Sequence, residues 1–89
     1  VIQGDYIYAG LSTIPAKIVK INRLSFTREA VLTLDAGEDI IYQLAVDGIY
    51  LYAGLHTTPG KVVRIDLDTF TKTSTLTFAA GEDNVDSLL

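Results

Sequence analysis

The sequence has no cysteine, no tryptophan and no methionine, and it has only two prolines and one histidine in 89 residues. Because cysteine is absent, the chain forms no disulfide and offers no thiolate as a metal ligand or nucleophile. The net charge is −4 and no basic stripe is present, which argues against nucleic-acid binding. No apolar run reaches the ~18 residues of a membrane-spanning helix, so we expect no membrane partner.

What the sequence does contain is a repeat of 44 residues. The segment Tyr8-Ala-Gly-Leu11 returns as residues 52–55, and residues 4–45 pair with 48–89 without a gap, with about 20 identities. A fixed period marks a repeat protein, in which each unit buries its apolar faces on its neighbours. We therefore expect one structural unit twice, at about residues 4–47 and 48–89.

Each repeat is predicted to contain four short strands. In the first repeat they cover residues 7–11, 17–21, 30–34 and 40–46, with Pro, Gly, Asn or Asp in the turns between them. No segment shows a sustained helical period. Four strands in a period of about 40–50 residues are typical of a β-propeller blade. The predicted fold is therefore all-β, with two blades of four antiparallel strands per chain.

The two ends of the sequence belong to the same strand of the repeat. Residues 84–89 match residues 40–45, and residues 1–3 match the part that follows, with an overlap of one residue. Two blades cannot close a ring, so we expect a head-to-tail homo-oligomer. Four chains with eight blades are favoured, and three chains with six blades are the alternative. The predicted assembly residues are Val1, Ile2, Gln3, Val85, Leu88 and Leu89.

The second repeat resembles a known family. Pro59-Gly-Lys-Val-Val-Arg-Ile-Asp-Leu-Asp-Thr-Phe-Thr71, followed by Ala80-Gly-Glu-Asp-Asn84, is similar to the repeats of YVTN/WD40-like seven-bladed β-propellers. The resemblance covers essentially the whole chain and implies that strand 40–46 is innermost and strand 30–34 outermost. Two blades in place of a ring indicate a fragment, or an engineered or reconstructed propeller. The family is mostly a scaffold for recognition, so the resemblance implies no enzyme activity.

The predicted innermost strand supplies most of the candidate binding residues. It would line the central channel, which is the default ligand site of a propeller. The two repeats differ most there, and this difference marks either specialisation for binding or drift where packing is loose. His56, which replaces Ser12, is a further candidate, although a loop surface role is favoured for it. The candidate binding residues are Tyr42, Gln43, Asn84, Asp86, Ser87 and His56.

The remaining conspicuous residues have structural interpretations. The Gly-Glu-Asp triplets at 37–39 and 81–83 supply too few oxygens for Ca²⁺, which takes about 6–8 ligands. A solvated or turn-stabilising role is favoured for them, with Asp39 and Asp83 accepting backbone hydrogen bonds. The phenylalanine at 26 or 70 and four of the tyrosines are expected to pack between blades.

These expectations favour a non-enzymatic chain that assembles with copies of itself into a closed ring. No catalytic residue, metal or cofactor is expected. The alternative function is a recognition module that binds a small ligand, glycan or peptide at the channel or the top loops.

Overall fold

The structure, a computed structural model, describes residues 1–88, so Leu89, one of the predicted assembly residues, lies outside the described residues. The described residues form eight β-strands and no helix, and so they contain no helix that could span a membrane. The strands β1 to β8 cover Ile2–Gln3, Tyr6–Gly10, Lys17–Asn22, Thr27–Thr33, Ile41–Val46, Tyr50–Leu55, Lys61–Asp66 and Thr71–Thr77.

The strands form two antiparallel sheets of four. The order is β1-β2-β3-β4 in the first sheet and β5-β6-β7-β8 in the second. The predicted all-β fold, with two antiparallel sheets of four strands, is confirmed. The fourth strand of the first repeat, β5, belongs to the second sheet, and within residues 1–88 the second repeat contributes only β6, β7 and β8, so the strand expected after residue 83 does not form there. The predicted strand 30–34 is longer than expected, because β4 begins at Thr27 and passes a bulge opposite Lys20 and Ile21.

The turns before β4 and β8 form for local reasons. The Oδ1 atom of Asn22 accepts hydrogen bonds from the amides of Leu24 and Ser25, at 3.0 and 3.1 Å. Asp66 makes the equivalent two bonds in the second turn. The first turn ends on Phe26, whose φ of 53° is left-handed. Asn and Asp favour such turns because their short side chains bond to backbone amides two or three residues ahead.

The proline turns are also built twice in the same way. Ile14-Pro15 and Thr58-Pro59 are both cis peptide bonds. The hydroxyl of Thr13 donates to the carbonyl of Pro15 at 2.9 Å, and that of Thr57 donates to the carbonyl of Pro59 at 2.8 Å. The two repeats therefore reach their second strands by the same backbone path.

The core lies between the two sheets. Because side chains alternate along a strand, the second sheet directs one set of apolar residues toward the first sheet. Ile41 and Leu44 of β5 belong to this set, and the first sheet with its adjoining loops provides the opposing side chains. The buried apolar residues are Tyr8, Ala16, Ile18, Leu34, Ile41, Leu44, Leu51, Ala53, Leu55, Val63 and Ile65.

Candidate assembly and binding surfaces

An ion pair joins the first sheet to the outer strand of the second. Glu38 lies in the loop after β4 and is only 5% exposed. The ammonium of Lys72 on β8 donates to both carboxylate oxygens of Glu38 at 3.0 Å, and the hydroxyl of Thr75 donates to Oε2. The Asp35 amide donates to Oε1 at 2.9 Å. The carboxylate is thus held by its own loop and by the other sheet.

These contacts determine the charge states of the pair. Burial alone would raise the pKa of Glu38, but the hydrogen bonds from Thr75, the Asp35 amide and Lys72 outweigh it, so the pKa lies below its usual value of 4.5. Burial alone would lower the pKa of Lys72, but Asp35 and Glu38 outweigh it and raise the pKa above 10.5. Both groups are therefore charged at neutral pH.

The two Gly-Glu-Asp loops differ in their surroundings. In the second loop, Glu82 is exposed and accepts a hydrogen bond from the Ala79 amide at 2.9 Å. The turn-stabilising role is confirmed for both glutamates, but the solvated role is wrong for Glu38. The expected hydrogen bond to Asp39 is also wrong for one oxygen, because its Oδ1 atom is buried without a partner among the described residues. In the second loop, the carboxylate that accepts a backbone hydrogen bond is likewise that of Glu82 and not that of Asp83.

Aromatic residues fill the rest of the junction between the sheets. The ring centroids of Phe70 and Tyr8 are 5.8 Å apart, and Lys20 places its ammonium 4.1 Å from the ring of Tyr6 and 5.8 Å from that of Phe70. Burial, with a smaller contribution from Tyr6, raises the pKa of Tyr8. The predicted packing of Phe70 and Tyr8 between the two units is confirmed. Phe26, the counterpart of Phe70 in the first repeat, is 76% exposed.

The side of the first sheet that faces away from the second sheet is apolar and incompletely covered. We call it the first outer face, and it consists of Ile7, Ala9, Val19 and Ile21. All four are partly exposed, whereas their counterparts 44 residues later are fully buried against the first sheet. Those counterparts are Leu51, Ala53, Val63 and Ile65.

The second sheet has the complementary surface on its own far side. We call it the second outer face, and it consists of Tyr52, Val62, Phe78, Val85 and Leu88. These residues are partly exposed, whereas their counterparts in the first repeat are buried in the junction. Those counterparts are Tyr8, Ile18, Leu34, Ile41 and Leu44. Each side of the junction is therefore present a second time on the outside of the chain.

The first sheet also has an incompletely paired edge at β2. In the second sheet, β5 pairs with β6 from Ile41–Leu55 to Val46–Leu51. In the first sheet, β1 pairs only as far as Ile2–Ile7, extended by two hydrogen bonds between Val1 and Tyr8 at 2.8 and 3.1 Å. Beyond Tyr8 the edge borders a groove of about 280 Å³. This edge groove is lined by Val1, Tyr8, Ala9, Gly10, Ile41, Tyr42, Gln43 and Leu44.

Segment 84–88 leaves the second sheet as β5 leaves the first. The amides of Asn84 and Val85 donate to the carbonyls of Thr57 and Leu55, at 2.9 and 3.0 Å. The amides of the counterparts, residues 40 and 41, make the same two bonds 44 residues earlier. After residue 85, however, the segment forms no strand ladder within residues 1–88. Segment 84–88 thus has the start of the β5 path but not the β5 pairing.

Three predicted binding residues do meet. The rings of Tyr42 and His56 stack with centroids 4.5 Å apart, and His56 Nε2 lies 3.0 Å from Asp86 Oδ1. His56 lies in the loop after β6 and is partly exposed, and from there its ring contacts two of the other candidates. Gln43 lies beside Tyr42 in the edge groove, while Asn84 and Ser87 lie with Asp86 along another groove. The six candidates thus divide between two surfaces.

Sequence reasoning missed the contribution of Lys72 and Thr75. Their contact with Glu38 spans 34 and 37 residues, and no local motif signals it. Residues 1–88 contain no group of three or more His, Asp or Glu side chains placed to hold a metal ion. A scan against models of known protein families and a comparison with curated proteins both find no match to this chain.

Proposed function

We propose that this chain assembles head to tail with copies of itself into a closed β-propeller, in which each sheet is one blade. The observation that supports this proposal is the duplicated junction: its two sides recur as the first and second outer faces. Interfaces of this kind are heterologous, and they close into a ring when the rotation per subunit permits. Four chains with eight blades are favoured, three chains with six remain the alternative, and kinship with YVTN/WD40-like propellers belongs to the same proposal.

Strand pairing supplies the first contact between copies. In the second sheet, Gln43 pairs with Gly54 and Leu44 pairs with Ala53. A shift of 44 residues gives the register between copies: Ser87 lies opposite Gly10 of the next copy, and Leu88 lies opposite Ala9. Segment 84–88 then occupies the edge groove. Addition of a strand to an open edge provides main-chain hydrogen bonds, with side-chain pockets for register.

The backbone at this edge has the required direction. Tyr8 points both its N–H and its C=O at Val1. Because these groups alternate along a strand, those of Gly10 point to the same side, where Ser87 of another copy would pair with them. The rest of this edge of β2 is covered by residues of the same copy, namely Val1, Ile2 and Gln3. Of the predicted assembly residues, Val1, Ile2, Gln3 and Leu88 therefore contribute to one continuous edge in the proposed joint.

Apolar burial supplies the second contact. The first outer face of one copy would cover the second outer face of the next, as the two sheets cover each other within the chain. Phe26 would then lie on Tyr52, as Phe70 lies on Tyr8. Full burial of an exposed apolar side chain contributes about 1.5–3 kcal/mol, and each of these partly exposed side chains would contribute part of that. Several such side chains offset the free energy lost when two chains become one particle.

A proline at residue 87 tests the strand pairing. Ser87→Pro removes the amide that would bond to Gly10 of the next copy, while Ser87 is exposed and makes no hydrogen bond within residues 1–88. Analytical ultracentrifugation should show the wild type at a multiple of the 9.7 kDa chain mass, four being favoured. Ser87→Pro should sediment as a folded single chain, and Ser87→Ala, which retains the amide, should behave as the wild type.

Two results would contradict the proposal. One is a wild-type chain that stays a folded monomer up to millimolar concentration. The other is a Ser87→Pro variant that assembles at the same concentration as the wild type. Circular dichroism on each sample confirms that a monomeric variant retains its sheets, which separates loss of assembly from loss of folding.

A recognition module is the second candidate function. The observation that favours it is the cluster of Tyr42, His56 and Asp86, which combines an aromatic surface with a carboxylate; Tyr42 is 58% exposed. In a ring this cluster would recur once per chain. Calorimetric titration of a glycan and peptide panel tests it, with Tyr42→Ala as the control. Saturable binding that Tyr42→Ala abolishes would support the recognition function. The absence of binding across the whole panel would contradict it.

A further inference from the structure

On the basis of the proposed assembly, we infer that Glu82 of one copy pairs with Arg28 of the next copy, and that this ion pair selects the head-to-tail partner. The partner surface is thus the outer strand β4 of a second copy. Glu82 is the counterpart of Glu38, and Arg28 is the counterpart of Lys72. The pair within the chain is therefore the template for the pair between chains.

The loop that carries Glu82 already has the required conformation. The Ala79 amide donates to Glu82 Oε1 at 2.9 Å, and the Glu82 amide donates to the Ala79 carbonyl at 3.0 Å. Asp35 makes the same two bonds with Glu38, at 2.9 and 3.0 Å. Gly37 and Gly81 have φ angles of 87° and 89°. The loop thus has one conformation whether or not a strand lies across it, so little ordering is needed on binding.

Arg28 is positioned to receive this loop. It pairs with Ile21 across the β3–β4 ladder, and Lys72 pairs in the same way with Ile65 across the β7–β8 ladder. Arg28 therefore rises on the first outer face, beside Ile21. Arg28 and Glu82 are both exposed, and neither takes part in an ion pair within residues 1–88. Two opposite charges thus stand uncompensated on the two surfaces that would meet.

The joint between copies is simpler than the junction within the chain. Asp35, the second carboxylate on Lys72, has Ala79 as its counterpart, and Thr75, the hydroxyl donor to Glu38, has Val31. The loss of the hydroxyl leaves a carboxylate oxygen to be satisfied. Arg28 suits this position, because a guanidinium can donate to both oxygens of a carboxylate at once. One charge pair would then carry the polar specificity of the joint.

Charge reversal tests the pair. Glu82→Arg and Arg28→Glu, made separately, each place like charges across every joint and should raise the concentration at which half of the chain is assembled by about tenfold or more. The double variant restores opposite charges in reversed order. Its half-assembly concentration should return to within about threefold of the wild type, because the apolar faces and the strand pairing are unchanged. Sedimentation velocity across a dilution series measures all four proteins.

Two control variants separate charge pairing from other effects. Glu29→Arg changes the net charge as Glu82→Arg does, but at an exposed residue on β4 that receives a hydrogen bond from Asn22. This variant should assemble as the wild type does. Glu82→Gln keeps an oxygen for the Ala79 amide and removes only the charge. It should weaken assembly less than Glu82→Arg, and circular dichroism should show both folded.

The outcomes also separate this inference from the proposed assembly. If the wild type assembles and the single reversals assemble equally well, the pair is overturned while the assembly stands. If the single reversals are monomeric and the double variant does not recover, the pair is likewise overturned. A wild type that remains a folded monomer overturns both. The pair is supported only if the single reversals weaken assembly and the double variant restores it.

Discussion

Glu38 keeps a negative charge in a buried position, and its partners lie in the other sheet. An unpaired buried carboxylate is costly, so the charge is stable there only because Lys72 and Thr75 bond to it. Removing one partner of such a group leaves the other with unsatisfied bonds. The effect of residue 38 on stability therefore measures the docking of one sheet on the other.

Replacing this charge should alter both stability and its dependence on pH. Because the fold lowers the pKa of Glu38, the ionised form favours folding at pH values above about 4.5, and this contribution disappears as the pH falls through the lowered value. At pH 7, Glu38→Gln should lower the free energy of unfolding by about 1–3 kcal/mol. The difference from the wild type should shrink as the pH falls below about 4.5, as measured by urea denaturation.

The equivalent change in the other loop provides the control. Glu82→Gln should alter the stability of the monomeric chain by less than about 0.5 kcal/mol, because Glu82 is exposed. The comparison requires a protein concentration at which the chain does not assemble. Parallel pH curves for the wild type and Glu38→Gln would show that the Glu38 charge does not stabilise the junction.

Among the strands, β5 connects the two sheets most closely. It continues from the first repeat but forms the edge of the second sheet, so it must cross the end of β2. Gly10 permits the crossing: a Cβ atom there would lie 2.5 Å from Ile41 Cγ2. A Cβ atom at Gly54 would likewise lie 2.7 Å from Val85 Cγ1. A side chain at Gly10 would push β5 away, and one at Gly54 would push segment 84–88 away.

An alanine at Gly10 should therefore destabilise the chain. We expect Gly10→Ala to lower the free energy of unfolding by about 1–3 kcal/mol through overpacking. Combined with Ile41→Ala, it should cost at least about 1 kcal/mol less than the sum of the two single changes, because the clash is removed. Chemical denaturation of the four proteins completes the cycle. Purely additive changes would exclude the close contact.

Gly54→Ala serves as a matched control for this cycle. Its clash involves segment 84–88, which forms no strand ladder within residues 1–88 and can shift at little cost. It should destabilise the monomeric chain less than Gly10→Ala does. Equal costs at the two glycines would contradict the difference in pairing between β5 and segment 84–88.

Most strand positions could be predicted because they depend on neighbours a few residues away. Alternating Ile and Val residues identify β3, and Asn22 identifies the turn that follows. The early start of β4 could not be predicted, since its bulge depends on pairing with β3. The cluster of Tyr42, His56 and Asp86 escaped prediction for a similar reason, because His56 and Asp86 lie 30 residues apart.

At the scale of the whole molecule, the chain covers only half of the surfaces that its repeat provides. Phe70 is packed against Tyr8, whereas Phe26 is 76% exposed although it follows the same turn. An exposed aromatic residue beside an apolar sheet face is typical of an interaction surface. Phe70 therefore contributes to the folding of the chain, and Phe26 is available for association between chains.

Alanine at each phenylalanine should separate these two processes. Phe70→Ala should lower the free energy of unfolding of the monomeric chain by about 1–3 kcal/mol, because it empties a site between the sheets. Phe26→Ala should leave that quantity within about 0.5 kcal/mol of the wild type and raise the half-assembly concentration by about tenfold or more. Denaturation and sedimentation measure the two effects. Normal assembly of Phe26→Ala would contradict the proposed covering of Phe26.

The sequence by itself determined the repeat of 44 residues, most of the strands, the turns and the conformation of both Gly-Glu-Asp loops. These features follow from side-chain alternation and from bonds between residues close in the chain, which act identically in both repeats. The tertiary structure decided which copy of each residue is buried. Glu38 and Glu82 have the same local geometry but opposite exposure, because β8 lies across one loop and no strand among residues 1–88 lies across the other. Burial depends on the opposing sheet, and a repeated sequence carries no mark of where that sheet is missing.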